Sequence, residues 1–328
     1  MKILKIAGIA VGVLALVIGG TVFSLNLKFN GMVTRQFDLE PASFPIPMPL
    51  NEAELTLLEN EFDGSVDGVD LDSVALDWAI ARGERYVATR AACSECHALD
   101  FGGQLVVDAL PVVKMIAPNI TTGEGGVVAN FSDADWVRII RHGINSRGTA
   151  GPMPSVDFTR LSDQEIADIV SYIRSVPPVD RTMDPTEVGP VGKILISLGK
   201  IPLSAYTIDH EMERRTYPPE EAATEEFGEH LTGICIGCHG PDLSGGAVPG
   251  GDPNWAPAAN LTLHETGLAN WTLEDFVTVM KTGRRPDSTN VLPPMASVIA
   301  YTARMNDVEL EAIWRYLEAI EPREFGTR

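Results

Sequence analysis

The pentapeptide Cys93-Ser94-Glu95-Cys96-His97 recurs as Cys235-Ile236-Gly237-Cys238-His239, and the two copies hold all four cysteines of the 328-residue chain. C-x-x-C-H reads as a site of c-type haem attachment. Its two thiols form thioethers with the haem vinyl groups, and the histidine supplies one axial ligand to the iron. Such a motif fixes what fills the core, because helices must wrap a large flat group. Zinc needs four ligands drawn from neighbouring pairs, whereas these pairs lie 142 positions apart with one histidine each. A redox dithiol belongs in a βαβ pattern, which this sequence does not display.

A second spacing points to the other axial position. Met153 lies in Gly-Pro-Met-Pro-Ser and Met295 in Pro-Pro-Met-Ala-Ser; 56 residues separate His97 from Met153, and 56 separate His239 from Met295. A thioether opposite an imidazole gives His/Met ligation, which raises the reduction potential. The neighbouring prolines stiffen each loop by fixing φ. Met115, Met280 and Met305 are expected to be core filler instead.

The chain opens with Lys2 and Lys5 followed by an apolar run from Ile6 to about Leu27. That length spans the hydrocarbon core of a bilayer. The following Ser24-Leu25-Asn26-Leu27 is a poor cleavage site, so residues 1–30 are read as a transmembrane anchor, with a removed signal peptide as the alternative. Lysines on the leading side favour an inside N-terminus. The localisation expected is the bacterial inner membrane with the haem domains on the periplasmic side, where c-type haem is attached.

Beyond the anchor, residues 31–75 form a Pro-rich and then acidic extension, with a short helix over Asn51–Glu61. A first haem domain is expected over 76–178, a linker over 179–218 and a second haem domain over 219–328. The expected fold class is all-α, two tandem domains each built as helix, loop, helix, Met loop, helix. Asp77–Ala92 is read as the helix delivering Cys93. Ser132 and Ser162 carry N-terminal capping signals, Ser162 with Glu165 as a capping box. The helix from Asn306 repeats the helix from Ser162. Val191–Leu203 is apolar and is expected to pack between the domains, with contact to the membrane as the alternative.

These residues resemble the cytochrome c family, specifically tandem dihaem proteins of the type found as cytochrome subunits of bacterial membrane dehydrogenases. The resemblance covers about residues 79–178 and 221–322. It rests on the two C-x-x-C-H motifs, on Asn119-Ile120-Thr121 and Asn260-Leu261-Thr262, and on the two Met loops. It implies two covalently bound haems c, and electron transfer without substrate chemistry. Cytochrome subunits of alcohol-type dehydrogenases carry three such modules, so the chain departs from them.

The cofactor residues expected are Cys93, Cys96, Cys235 and Cys238 for covalent attachment, and His97, Met153, His239 and Met295 on iron. Asn119 and Asn260 are candidates for haem-edge hydrogen bonds. Arg141 and Lys281 are candidates for haem propionates, or are ordinary surface charges. Each axial histidine should donate its second N–H to a carbonyl; Pro111, Pro118, Pro249 and Pro257 lie in suitable loops. His142 is expected at a solvated helix end or on a propionate, and His210, His230 and His264 at the surface.

The expected donor is a dehydrogenase or a quinol-oxidising complex, and the acceptor is an oxidase or a soluble cytochrome. The alternative is a dihaem oxidoreductase acting on peroxide or sulfur compounds. A peroxidase needs an open iron position, and a thiosulfate-oxidising enzyme needs a spare cysteine. A net charge of −20 and a pI near 4.6 argue against nucleic acid and suit steering toward a basic protein partner.

Overall fold

The computed structural model describes residues 2–39, 44–62 and 64–327. Residues 40–43 and Asp63 of the expected extension lie outside the described residues. In chain order the helices of the first half are α1 (Lys2–Thr34), α2 (Glu52–Glu61), α3 (Leu71–Tyr86), α4 (Cys93–His97), α5 (Asp133–His142), α6 (Asp163–Ser175) and α7 (Pro190–Ser197). Those of the second half are α8 (Glu225–Leu231), α9 (Ile236–His239), α10 (Leu273–Thr282), α11 (Met295–Thr302) and α12 (Asp307–Ala319). Helix dominates, as expected, and α1 is long and apolar enough to cross a membrane, with a mean hydropathy of 2.4.

The long helices start where side chains cap them. Asn51, Ser132, Ser162, Thr272 and Asn306 each accept from the N3 backbone N–H while the N3 carboxylate answers, a full capping box. Helix α3 starts earlier than the expected Asp77, because Asp70 accepts from Ser73 N–H and caps it there. Its continuation, Val87–Ala91, is a π-helical turn that ends in Ala92 at φ 47° and hands the chain to Cys93.

Two hydrophobic cores follow from the amphipathic stripes of these helices. The first gathers Val87, Trp136, Val137, Ile140, Ile166, Ile169, Val170 and Ile173. The second gathers Phe227, Leu231, Phe276, Met280, Met305, Leu310, Ile313 and Leu317. In each, the first helix crosses the last one at a glycine. A Cβ on Gly83 would meet Asp168 O at 2.0 Å, and one on Gly228 would meet Ala312 O at 1.9 Å. The next neighbours, Tyr172 Cβ and Tyr316 Cβ, also correspond.

The structure departs from an all-α fold in one place. Strands β1 (Gln104–Ala109), β2 (Val113–Ala117) and β3 (Glu187–Val188) form an antiparallel sheet in the order β1-β2-β3. Its hairpin occupies a stretch expected to be loop. The corresponding stretch of the second half keeps a single bridge, Gly246 to Ala258, at the place of the Gln104–Ala117 pair. The Val-rich run of 105–116 carries the hairpin; the Gly- and Pro-rich 246–257 does not.

The expected linker is not a free connector. Thr186 Oγ1 bonds both the N–H and the C=O of Ile116 at 3.0 Å. Farther on, Asp163 N–H and Gln164 N–H donate to the carbonyls of Arg215 and Thr216 at 2.9 and 3.0 Å. Helix α7 does not pack between the two cores: Ser197 Oγ donates to Leu25 O of α1 at 2.8 Å.

The two halves are joined by charge. Glu165 is buried and bonded to Arg90 at 2.9 Å and to His230 Nε2 of the second half at 2.8 Å. His230 is therefore buried, not at the surface as expected. Arg85 pairs with the buried Glu309 at 2.6 Å. Burial alone raises the Glu165 pKa, but Arg90 and His230 outweigh it and hold the carboxyl at about 2.

Two outcomes follow from this packing. Gly228→Ala forces its helix crossing apart and should cost about 1–3 kcal/mol in denaturant unfolding, whereas an unchanged midpoint would contradict the close crossing. Glu165 has a folded pKa below its ordinary value of 4.5. Its contribution is therefore fully present above that value and is lost as pH falls from about 4.5 through about 2. Thermal unfolding of Glu165→Gln against wild type should show a gap that narrows across that window; a constant gap would contradict the charged pairing.

Candidate functional site

Both C-x-x-C-H segments fold as a short helix entered from a tight turn. Helix α4 contains Cys93 to His97, and α9 runs from Ile236 to His239 behind a 3-10 turn, Thr232–Cys235. The residue after each histidine takes positive φ, 66° at Ala98 and 85° at Gly240. The backbone bonds that follow match pair by pair. Gly103 N–H donates to His97 O at 2.9 Å, and Gly245 N–H to His239 O at 2.8 Å. Ile120 N–H donates to Phe101 O, and Leu261 N–H to Leu243 O.

This loop aims the imidazoles. His97 Nδ1 lies 2.9 Å from Pro118 O, and His239 Nδ1 lies 2.8 Å from Ala259 O. A carbonyl only accepts, so Nδ1 carries the proton in both rings and Nε2 presents its lone pair. Of the four proline carbonyls considered from sequence, Pro118 is the acceptor in the first loop. The second acceptor is Ala259, which the repeat identifies, since it precedes Asn260 as Pro118 precedes Asn119. Burial lowers the pKa of His97, against the opposing pull of the Pro118 carbonyl, which favours the neutral, ligating ring.

The two buried thiols lack the activation of a redox dithiol. Burial pushes the Cys93 and Cys235 thiols up to about 12, whereas reactive dithiols have a depressed pKa. None of the four cysteines is in a disulfide. Among the described residues, no group of three or more His, Cys, Asp and Glu side chains gathers to hold a metal ion. Cys93 and Met153 pack against the first core, and Cys235 and Met295 against the second. Each half therefore offers two thiols, an oriented imidazole and a half-buried thioether around one core, a donor set that fits a covalent haem. Met280 and Met305 are buried, as expected of filler, and Met115 is half-buried on β2.

The Met loops are braced alike. An isolated bridge, Ile144–Ala150 in the first half and Arg284–Asn290 in the second, closes the turn after α5 and α10. Gly143 and Gly283, at φ 67° and 73°, end those helices and accept from Gly151 and Val291 N–H at 2.8 Å each. Ser204 Oγ also donates to Met153 O at 3.0 Å, which ties the segment before α8 to the first Met loop.

Several expected site residues do other work. Asn119 Nδ2 donates to Val179 O and Arg181 O while its Oδ1 accepts from Thr121 N–H and Oγ1. Asn260 Nδ2 donates to Thr266 Oγ1 and Arg323 O while its Oδ1 accepts from Thr262 N–H and Oγ1. Two donors and two acceptor sites are thus filled in each, which leaves nothing for a haem edge. Both pin the histidine-facing loop to the segment that leaves the last helix.

Arg141 and Lys281 do equivalent work on the turn before the last helix. Arg141 Nη2 donates to Leu161 O at 3.0 Å with Nη1 on Asp163, and Lys281 Nζ donates to Met305 O at 2.7 Å with Asp307 at 3.5 Å. Arg141 is buried rather than on the surface. His142 is buried too, its Nδ1 3.0 Å from His210 Nδ1. Burial first, then His210 and nearby arginines, pushes His142 down to about 3. His142 is therefore not the solvated group expected, while His210, expected at the surface, is half-buried with its Nε2 3.1 Å from Ala205 O.

Sequence reasoning missed the way each Met loop reaches the other half. Asp157, four residues beyond Met153, abuts Gly237, where a Cβ would meet Asp157 Oδ1 at 2.1 Å. Burial raises Asp157 to about 7, opposed by the nearby Gly237 backbone N–H. Reciprocally, Tyr301 on the helix begun by Met295 donates to Glu95 Oε1 at 2.6 Å. The glycine inside the second C-x-x-C-H was the available signal.

Residues 80–177 match the family model for cytochrome c, so the chain contains a cytochrome c domain. The chain is similar to the cytochrome c subunit of alcohol dehydrogenase (quinone) from Gluconobacter oxydans, 29% identical over 74% of this chain and 54% of that protein. It is similar to the fructose dehydrogenase cytochrome subunit of Gluconobacter japonicus, 26% identical over 74% of this chain and 52% of that protein. A diheme cytochrome c-type protein of Cereibacter sphaeroides is 26% identical over 73% of this chain and 85% of its own length. The chain thus spans about half the length of the two dehydrogenase subunits.

If Asn119 braces its loop, Asn119→Ala strands buried partners and should cost about 2–3 kcal/mol in denaturant unfolding. A loss below about 0.5 kcal/mol, in the range of a neutral surface change, would contradict the bracing.

Proposed function

We propose that this chain, with its cytochrome c domain at residues 80–177, is a membrane-anchored dihaem c-type cytochrome. It would pass electrons from a dehydrogenase or quinol-oxidising donor to an oxidase or soluble cytochrome. Haem domains are assigned to about 76–178 and 219–328, and residues 1–30 to an anchor in the bacterial inner membrane, with the haems on the periplasmic side. The observation that carries the reading is the repeated histidine geometry: in both halves a C-x-x-C-H imidazole gives Nδ1–H to the carbonyl just before Asn119 or Asn260.

In this reading Cys93 and Cys96 hold one haem, and Cys235 and Cys238 the other. His97 and Met153 would ligate the iron of the first, and His239 and Met295 that of the second. When bound, the haem would supply one-electron chemistry at its iron. The chain's own residues bury it, fix its ligands and set its potential. A carbonyl on Nδ1–H makes each imidazole a better donor and locks its rotation. With an imidazole and a thioether of the chain offered to each iron, little would need to rearrange on reduction, which suits a carrier better than a substrate site. The similarity to dehydrogenase cytochrome subunits supports a dehydrogenase as the donor.

The contacts between the halves support exchange between the two sites. Asp157 against Gly237 and Tyr301 on Glu95 hold each Met arm against the other C-x-x-C-H turn. The acidic surface, net −20, favours a basic acceptor at low salt.

Redox titration tests the ligand set. Met153→Ala should lower one of two midpoint potentials by on the order of 100 mV, a fraction of the ~0.8 V that axial ligands span. The other should hold, and Met295→Ala should move the other alone. Met305→Leu should move neither. Unchanged potentials in Met153→Ala would remove that thioether from the iron.

A further inference from the structure

Residues 5–24 of α1 are exposed at every position, and half-buried positions begin at Leu25. A helix over that exposed stretch rises about 30 Å, the thickness of a bilayer's hydrocarbon core. The body of the protein therefore first meets α1 at the level where a spanning helix leaves the hydrocarbon.

The element that meets it there is α7. Ser197 Oγ bonds Leu25 O at 2.8 Å, and the Lys193 ammonium sits 5.8 Å over the Phe29 ring. Just beyond α7, Tyr206 OH donates to Met32 O at 2.7 Å. These contacts hold α7 rigidly beside the exit of α1. Yet apolar side chains at this level are left uncovered. Leu198 is 56% exposed and Val191 is exposed as well. Leu198 is held out on a turn closed by Gly199 at φ 71°. The tip of the β1–β2 hairpin lies alongside, since Val191 N–H donates to Pro111 O at 3.2 Å, and Leu110 at that tip is also exposed. Lys200 follows, exposed.

We propose that α7 and the Leu198–Pro202 turn form a second membrane contact, seated in the outer interfacial layer of the bilayer. Leu198 reaches the acyl boundary, Val191 and Leu110 stand above it at the headgroup level, and Lys200 meets lipid phosphates. The proposal rests on the reading of α1 as a retained anchor. The occupant follows from continuity with α1: Leu198, next to the Ser197 that bonds Leu25 O, stands at the plane where its lipid-length stretch ends. A helix with apolar groups on one side and lysine near the phosphates is the form that lies in this layer. One spanning helix alone would let the haem-bearing body swing. Two contacts at one level fix its tilt, and with it the height of the first Met loop, which Ser204 couples to this segment.

Site-specific photo-crosslinking in membranes of cells expressing the full chain tests this. A benzophenone amino acid is placed at Leu14 in α1, at Leu198, or at Leu99, which is exposed on the first haem-binding loop. All three side chains are exposed, so the probe should be accommodated; haem staining checks maturation. The proposal expects lipid adducts, read by mass spectrometry, at Leu14 and Leu198. The yield at Leu198 should exceed that at Leu99 by at least about tenfold, as for a group seated in the headgroup layer. Adducts at Leu14 with only background at Leu198 would overturn the second contact and leave the anchor standing. Adducts of Leu198 to another polypeptide would overturn it in favour of a protein partner on this face. No lipid adduct at Leu14 would remove the anchor reading, and the proposal with it.

Discussion

An imidazole N–H held by a backbone carbonyl, made twice, organises this molecule. The bond from His97 to Pro118 and the bond from His239 to Ala259 each need a loop that returns to the histidine at fixed height. Much of the conserved geometry between the two halves serves that return. The positive-φ residues after each histidine, the closing bonds at Gly103 and Gly245, and the filled carboxamides of Asn119 and Asn260 all hold it. Strength of any single bond is modest, about 1 kcal/mol net. Their value is orientation: a ring fixed about its own axis presents Nε2 in one direction.

The second organising feature is the way the halves interlock. Each Met arm rests on the other half's C-x-x-C-H turn, through Asp157 against Gly237 on one side and Tyr301 on Glu95 on the other. Charged groups close the rest of the seam, with Glu165 shared between Arg90 and His230 and with Arg85 on Glu309. Buried ion pairs contribute little net stability against apolar replacements, but breaking one partner is costly. We read them here as fixing register between two units whose separation and orientation matter for electron exchange.

Much of this was legible in the sequence where chemistry is local. The C-x-x-C-H pairs, the matched Met spacing, the capping box at Ser162 and the long apolar N-terminus all announce themselves within a few residues. What stayed hidden depends on partners distant in the chain. Asn119 reads as a haem-edge donor until Val179 and Arg181 fill its donors. Arg141 reads as a surface or propionate cation until Leu161 and Asp163 enclose it. His230 looks like an exposed histidine because Glu165 lies 65 residues away. The hairpin over 104–117 was obscured by the expectation that the haem, not strand pairing, fills these loops, although its Val-rich composition was present. The repeat also pairs residues whose shared role the sequence does not show. Arg141 and Lys281 correspond, and both reach the turn before the last helix.

The central claim is that this geometry is built twice for the same cofactor. The intact mass of the mature chain, with iron counted on the same sample, tests it most directly. The account predicts two covalent haems and two irons per chain, falling to one of each when both Cys235 and Cys238 are replaced by alanine. A mature wild-type chain with a single haem, or one whose haem count is unchanged by that double replacement, would contradict it.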